Sequence, residues 1–398
     1  GVVATEAINA DADDADIFID ATAAAGLPLG IVDAGTGNVS LEATDVAITD
    51  ANNAAMNVVS NSLTFVSAGG TGTAANAIET NTGTLTFVNT AGFVNIDNTG
   101  PLTASGTNAD AVDGIIIVTS SPLTVPVAGI TAAGDITLQA TDDGGDDDHL
   151  TINGAVESTG DGTISLRGGT DVLINAVVTS AAGTVIAAAD FDNSNNGTLS
   201  DTPTGSITTT NLLATGHIVE LDNAATALAT LAGSAQEDYT FDTPGIYTVG
   251  TVGTVSGVTS EFGDIDLDTE DTITVSQVVE SLTGSVDITA TGAGAIVNVG
   301  ANVSGDDVTI TGATLNITAA TENAVGGTTL DADTGTLDID ANVTAHESLD
   351  LSGDTNILLA ANLQADDSIT VEDGLEVDAS STITADDGDV SFGSTVSA

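Results

Sequence analysis

The sequence predicts an all-β fold, a parallel β-helix (β-solenoid) of ~21-residue coils. Three observations predict it: a repeat of that period, short alternating strands of β-branched and aliphatic residues, and Gly, Asp and Asn turns between them.

The repeat comes first, because a fixed period of about 20 to 50 residues decides the architecture. In the C-terminal part the pattern Gly/Asp-x-apolar-Thr/Asp/Ser-apolar places its first apolar residue at Ile265, Val286, Val308, Leu330, Leu349, Ile369 and Val390. A second series interleaves with it at Ile273, Ile296, Leu315, Leu337, Ile357 and Val377. Upstream, Leu63-Thr64-Phe65-Val66 recurs 22 residues later as Leu85-Thr86-Phe87-Val88, and Ile164, Val185 and Ile207 keep the same step. Each repeat holds two or three strands of about five residues. Equivalent apolar positions then stack coil on coil, which a sandwich would not require. Dividing 398 residues by the period gives about 19 coils. At ~4.8 Å per coil, a single elongated solenoid over 1–398 would measure about 90 Å.

Two departures from the period locate insertions. The step from Ile136 to Ile164 is 28 residues, and the acidic run 142–149 between them reads as a loop inserted into one coil. From Ile207 to Ile265 the surplus falls on 221–236, where Leu221, Ala225, Leu228 and Leu231 follow helical spacing and predict a short helix outside the coil. The segment Tyr239 to Val249 faintly resembles a strand pair of PKD-like sandwich modules, but its flanks are too short for such a domain. It reads as a hairpin or an irregular coil.

Composition narrows the function. One basic residue, Arg167, stands against 58 acidic ones, for a net charge of −57. Such a surface repels phosphate and anionic lipid, so nucleic acid and membrane surfaces are excluded as partners. Apolar runs such as Ile115 to Val118 are far below the ~18 residues of a membrane span. Without cysteine or lysine there are no disulfides, thiolate metal sites or Schiff bases. High charge with few aromatics is a signature of disorder, yet 41% hydrophobic residues and a mean hydropathy of +0.27 argue for a folded chain. The chain begins at Gly1 without an initiator methionine, which reads as a processed product or an internal segment.

Segments such as Gly134-Asp135-Ile136-Thr137-Leu138-Gln139-Ala140, Asp171-Val172-Leu173-Ile174-Asn175-Ala176-Val177 and Gly284-Ser285-Val286-Asp287-Ile288-Thr289-Ala290 carry a resemblance. In style, most of the chain resembles the right-handed β-helical shafts of large bacterial exoproteins and adhesins of the filamentous-haemagglutinin type. The resemblance implies right-handed coils, secretion and a surface or adhesive role. The near-total lack of basic residues departs from that group, and neither a secretion-recognition domain nor a C-terminal membrane barrel is evident.

The residue after each core position faces outward, which places Asp266, Asp287, Thr309, Asp331, Asp350, Thr370 and Ser391 in one column. Stacked carboxylates about 5 Å apart repel unless cations screen them. Asp266 and Asp287 are therefore candidate ligands, and Ca²⁺ or another divalent cation is the expected ion, since hard cations take oxygen ligands. The run Asp142, Asp143, Asp146, Asp147 and Asp148 is the second candidate. It resembles the Ca²⁺-binding nonapeptide of RTX proteins only in part, because Asp147 stands where that motif has glycine and His149 where it has aspartate.

Catalysis finds little support. β-Helical lyases acting on acidic sugars need basic residues to hold the substrate, and Arg167 stands alone. A glycosidase needs only two carboxylates, but no pair is singled out, and His149, His217 and His346 have no nucleophile beside them. Ice binding wants an uninterrupted Thr-x-Thr ladder, whereas the outward column mixes Thr with Asp and Ser. Asn-x-Ser/Thr triplets at Asn38, Asn196, Asn302, Asn316 and Asn342 are candidate glycosylation sites.

The sequence thus predicts a non-catalytic extracellular or cell-surface structural protein. It would be a solenoid rod forming a surface fibre or an end-to-end homopolymer, with itself as the main partner. The alternative is a cation-dependent adhesin module binding a glycan or a cell surface.

Overall fold

A computed structural model describes residues 6–21, 26–141, 144, 148–191, 193–194, 196–223, 226–322, 325–377 and 381–397. The chain divides into two compact units, Gly1–Thr210 and Asn211–Ala398. Both units are all-β parallel solenoids, and no helix occurs among the described residues. The turns number about 18, with coils of ~21 residues.

In the second unit a coil is built of three strands. Ile265–Thr269, Ile273–Val275 and Val279–Ser281 are followed one coil on by Val286–Ala290, Ile296–Val299 and Val303–Ser304. Each strand pairs in parallel with its counterpart, so Ile265 aligns with Val286 and Val286 with Val308. Period-2 alternation does the sorting. Ile265, Leu267 and Thr269 are at most 1% exposed, whereas Asp266 and Asp268 between them are half-buried on the outer face. Each fully buried Leu, Ile or Val contributes roughly 1.5–3 kcal/mol, and the column Ile288, Ile310, Leu330, Leu351, Val371 repeats that gain in every coil.

The true register differs from the sequence reading at three points. Thr328, not Leu330, aligns with Val308 and Leu349, so the outward residue of that coil in the first column is Thr329 and not Asp331. An apolar search misses it because Thr328 is a polar residue only 1% exposed. In the second series Val297 replaces Ile296, and Leu375 replaces Val377. Ile296 faces outward.

The helix expected at 221–236 is not formed. Ile218–Leu221 and Thr230–Ala235 are strands, with Leu221 aligned on Phe241 and Leu231 on Leu212 and Val249. Leu221 and Leu231 are inward positions of two different strands, and their helical spacing is coincidental. Leu228, which a helical stripe would bury, is partly exposed, and Ala225 lies outside the described residues. Nor is Tyr239 to Val249 a hairpin: Tyr239–Thr243 and Tyr247–Val249 pair in parallel with Ile265–Thr269 and Ile273–Val275. The antiparallel pair is the next segment, Thr251–Val252 with Val255–Ser256. At its exit Gly257 has φ +82°, and a Cβ there would run into the Val278 carbonyl.

In the first unit, Ile17–Asp20, Asn38–Ala43, Val58–Ser67, Ile78–Asn89 and Leu102–Asn108 stack into one sheet. Its inward row includes Leu63, Phe65, Leu85 and Phe87, none more than 1% exposed. Its outward positions on the last three strands are Ser62, Thr64 and Val66, then Thr84, Thr86 and Val88, then Thr103, Ser105 and Thr107. None of the nine is charged.

Polar corners are closed by side chains reaching one coil away. Ser260 Oγ donates to the Glu237 carbonyl at 2.6 Å and Ser281 Oγ to that of Gly263 at 2.7 Å. Asp264 Oδ1 accepts the Ser285 N–H at 2.7 Å, and Asp307 Oδ1 accepts that of Gly327 at 2.7 Å. Asn342 and Asn362 do the same for Asn362 and Thr382, at 3.1 and 2.9 Å. In the first unit Asn89 Nδ2 donates to Asn108 Oδ1 at 2.9 Å inside the core. These bonds satisfy corner groups left outside the strand ladders.

The largest core side chains gather in the second unit. Phe241 and Tyr247 meet edge to face at 5.3 Å, and Gly233 leaves room for the Tyr239 phenol, since a Cβ there would lie 2.5 Å from its oxygen. The hydroxyls of Tyr239 and Tyr247 have no hydrogen-bond partner among the described residues, and burial pushes the pKa of both upward. An unmet buried hydroxyl costs about 1–3 kcal/mol. Tyr247→Phe is therefore expected to raise the melting temperature by the equivalent of about 1 kcal/mol. Destabilisation of that variant in a thermal melt would mean that the hydroxyl is satisfied.

Candidate metal centre

One outer sheet face of the second unit gathers carboxylates because parallel register stacks like on like. The first outward column runs Thr240, Asp266, Asp287, Thr309, and the second runs Asp242, Asp268, Thr289, Thr311. Asp266 thus has Asp287 on the next coil and Asp268 two residues along its own strand. Carboxylate oxygens of Asp266, Asp268 and Asp287 all lie within 4.8 Å of one another, and each residue is half-buried. Thr289 Oγ1 donates to Asp287 Oδ1 at 2.7 Å, which fixes that carboxylate.

Three acids held this close oppose their own ionisation. Burial first, then the charges of Asp266, Asp287 and Asp242, push the Asp268 pKa up to about 7. Asp266 is raised by burial and by Asp287, Asp242 and Asp264, and Asp242 by burial with Glu270 and Asp222 adding to it. A divalent cation relieves both causes at once, since it supplies counter-charge and replaces lost water ligands. The separation also fits. Ligand oxygens about 2.3–2.6 Å from a Ca²⁺-sized ion lie within about 5 Å of each other. This triad can hold a metal ion.

Of the ligands expected from sequence, the structure brings Asp266 and Asp287 together. Asp268 was missed, although the alternation in Ile265-Asp266-Leu267-Asp268 puts it on the same face. Asp142, Asp143, Asp146 and Asp147 lie outside the described residues. Asp148 is fully buried, and its main-chain carbonyl accepts the Thr170 N–H at 3.1 Å. His149 uses its carbonyl to accept the Leu123 N–H at 3.0 Å.

Two of the histidines make contacts from one coil to the next. His217 Nε2 lies 3.5 Å from Glu237 Oε1, and His346 Nδ1 lies 2.8 Å from Asp366 Oδ2. Arg167 stacks on Phe191 with 4.7 Å to the ring centroid, and its Nε donates to Ser165 Oγ at 3.0 Å. Asn38, Asn196 and Asn342 are exposed, while Asn302 and Asn316 are half-buried. The amide nitrogen that a glycan would need is engaged at Asn38 by Asp16 and at Asn316 by Asn298. No protein family, curated protein or solved structure matches the chain.

The acid cluster fixes the sign of a pH effect. An unfolded aspartate ionises near pH 3.9, well below folded Asp268, so the folded chain takes up the proton first as pH falls. The cluster's penalty is full above about pH 7 and is relieved progressively toward pH 4. Without divalent cations, melting at pH 6 is expected above that at pH 8, and Asp268→Asn should remove part of the difference. Solvent screening at a half-exposed site keeps the effect under about 1 kcal/mol. An unchanged slope in the variant would show that the cluster does not titrate this way.

Proposed function

We propose that the chain is a non-catalytic structural rod of the extracellular or cell surface, a shaft or filament-forming solenoid whose acidic face takes up Ca²⁺. The observation that carries this reading is the in-register repetition of one coil. Strand after strand, the same inward and outward positions recur from Tyr239 to Phe392 in the second unit, so the sequence is spent on a uniform stack. The resemblance to exoprotein and adhesin shafts supports the same use. The triad supports Ca²⁺ in particular, because this ion tolerates irregular carboxylate cages. Arg167, the single residue able to clamp an anionic substrate, is stacked on Phe191, which supports a non-catalytic role.

A second reading, a cation-dependent adhesin module, rests on a shallow depression of about 170 Å³ lined by Thr329, Asp331, Asp350, Leu351, Ser352 and Glu372. Hydroxyls and carboxylates there suit a polar ligand. Sites for drug-sized ligands occupy roughly 300–1,000 Å³, so the depression admits a sugar end at most, and the structural reading is preferred.

Two measurements test the proposal. Electron microscopy of the native protein with and without millimolar Ca²⁺ is expected to show unbranched polymers, and dispersed particles in both conditions would favour the adhesin. In thermal melts at pH 8, Ca²⁺ at about 100 times its Kd should stabilise the wild type by about 2.7 kcal/mol. Asp287→Asn should remove most of that gain. Melting indifferent to Ca²⁺ and chelator would eliminate the specific site.

A further inference from the structure

We propose that the uncharged sheet face of the first unit is a lateral interface, at which a second copy of this chain packs sheet on sheet about Thr64, Val66, Thr86 and Val88. The inference goes beyond the cation-binding rod, since it concerns another face and does not depend on the acid cluster.

Charge selects the occupant. Two copies carrying −57 each repel wherever carboxylates face one another. The nine outward positions of the strands Val58–Ser67, Ile78–Asn89 and Leu102–Asn108 carry no charge, so this face escapes that repulsion. These nine positions offer no cation for phosphate, no carboxylate for a metal and no aromatic ring; Phe18, 64% exposed, stands at the margin of the face, two strands before Thr64 in the same outward row. What the face presents is straight rows of Thr and Val with Ser62 and Ser105 among them, Thr86 exposed and Val88 47% exposed, backed by a core of Leu63, Phe65, Leu85 and Phe87. Rows of this kind, spaced ~4.8 Å apart, interdigitate with a second sheet about 10 Å away.

Register makes the face self-complementary. A two-fold axis in the face, parallel to the strands and midway between Val58–Ser67 and Ile78–Asn89, sets Val66 against Val88 of the other copy and Thr64 against Thr86. The same operation sets the flanking acids Glu42 and Asp20 against the second copy's Thr107 and Thr131. No carboxylate lies directly opposite another, the nearest approach being Asp20 beside the second copy's Glu157, one strand beyond Thr131. The six strands from Ile17–Asp20 to Ile130–Ala132, three on each side of the axis, span about 29 Å by 20 Å, or roughly 600 Å² per copy. A standard stable interface buries about 800 Å² on each partner. The pair is therefore a weak one, favoured when salt screens the remaining charge.

The test uses the full chain in sedimentation velocity and small-angle scattering, over a hundredfold range of concentration, at low salt and at about 1 M NaCl, where the Debye length is about 3 Å. The wild type is expected to dimerise at high salt with a thicker cross-section and no added length. The double variant Thr64→Asp with Thr86→Asp should associate at least tenfold more weakly. Val88→Asp alone should shift in the same direction, and it carries the test if the double variant fails to fold. Gln364→Asp, which adds to the second unit the one charge that Val88→Asp adds to the first, should behave as wild type. A wild type monomeric throughout, variants that associate as wild type does, or a dimer that is longer but no thicker would each overturn the proposal. So would ice shaping by the monomer that Thr86→Asp abolishes, because the face would then belong to ice.

Discussion

Everything in this structure depends on in-register parallel pairing between successive coils. Because a residue lies beside its equivalent one coil on, a side chain is chosen for its own copies as much as for its place in the strand. Inward, this rule is favourable, since Ile, Val and Leu pack on Ile, Val and Leu at every step. Outward, it is costly wherever the repeated residue is an acid. The carboxylate cluster at Asp266, Asp268 and Asp287 and the neutral rows at Thr64 and Thr86 are two results of one rule applied to different residues.

The period and fold class were legible because stacking enforces recurrence on the sequence itself. Leu63 to Val66 and Leu85 to Val88 could be matched by eye, and they lie side by side. Legibility failed where a position tolerates chemistry that the pattern does not expect. Thr328 holds a core position as a buried polar residue, and reading past it to Leu330 displaced one coil by two residues. At 221–236, inward positions of two separate strands, Leu221 and Leu231, mimic a helical stripe. Of the candidate site, alternation gave Asp266 and Asp287. Asp268 belongs to a second outward position of the same strand, beside Asp242 and Thr289, where the acid is not repeated from coil to coil.

The acidic residues also turned out to have distinct duties that composition alone could not assign. Asp264 and Asp307 accept main-chain N–H groups of the following coil and so act as corner fasteners. Asp266 and Asp268 share a half-buried patch whose charge is unfavourable without a cation. Others only add to the net charge of −57. Stability in such an array is approximately a sum of coil terms and nearest-neighbour terms, so a local acid cluster weakens its own coil junction before it weakens the whole.

The same geometry sets how the stack of coils would respond to tension. Its interstrand hydrogen bonds point from coil to coil, so tension applied along the stacking direction opens them one junction at a time instead of shearing many together. Where two coils are joined most thinly, they part first. In the second unit, the third strands Val303–Ser304 and Thr321–Glu322 meet through the single pair Val303 and Thr321, while their neighbours Val286–Ala290 and Val308–Gly312 align along five residues. That corner is a built-in tear line. Stretched there, the coil would peel from its third strand toward its first, and on release the longer first strand would supply the template for closing again.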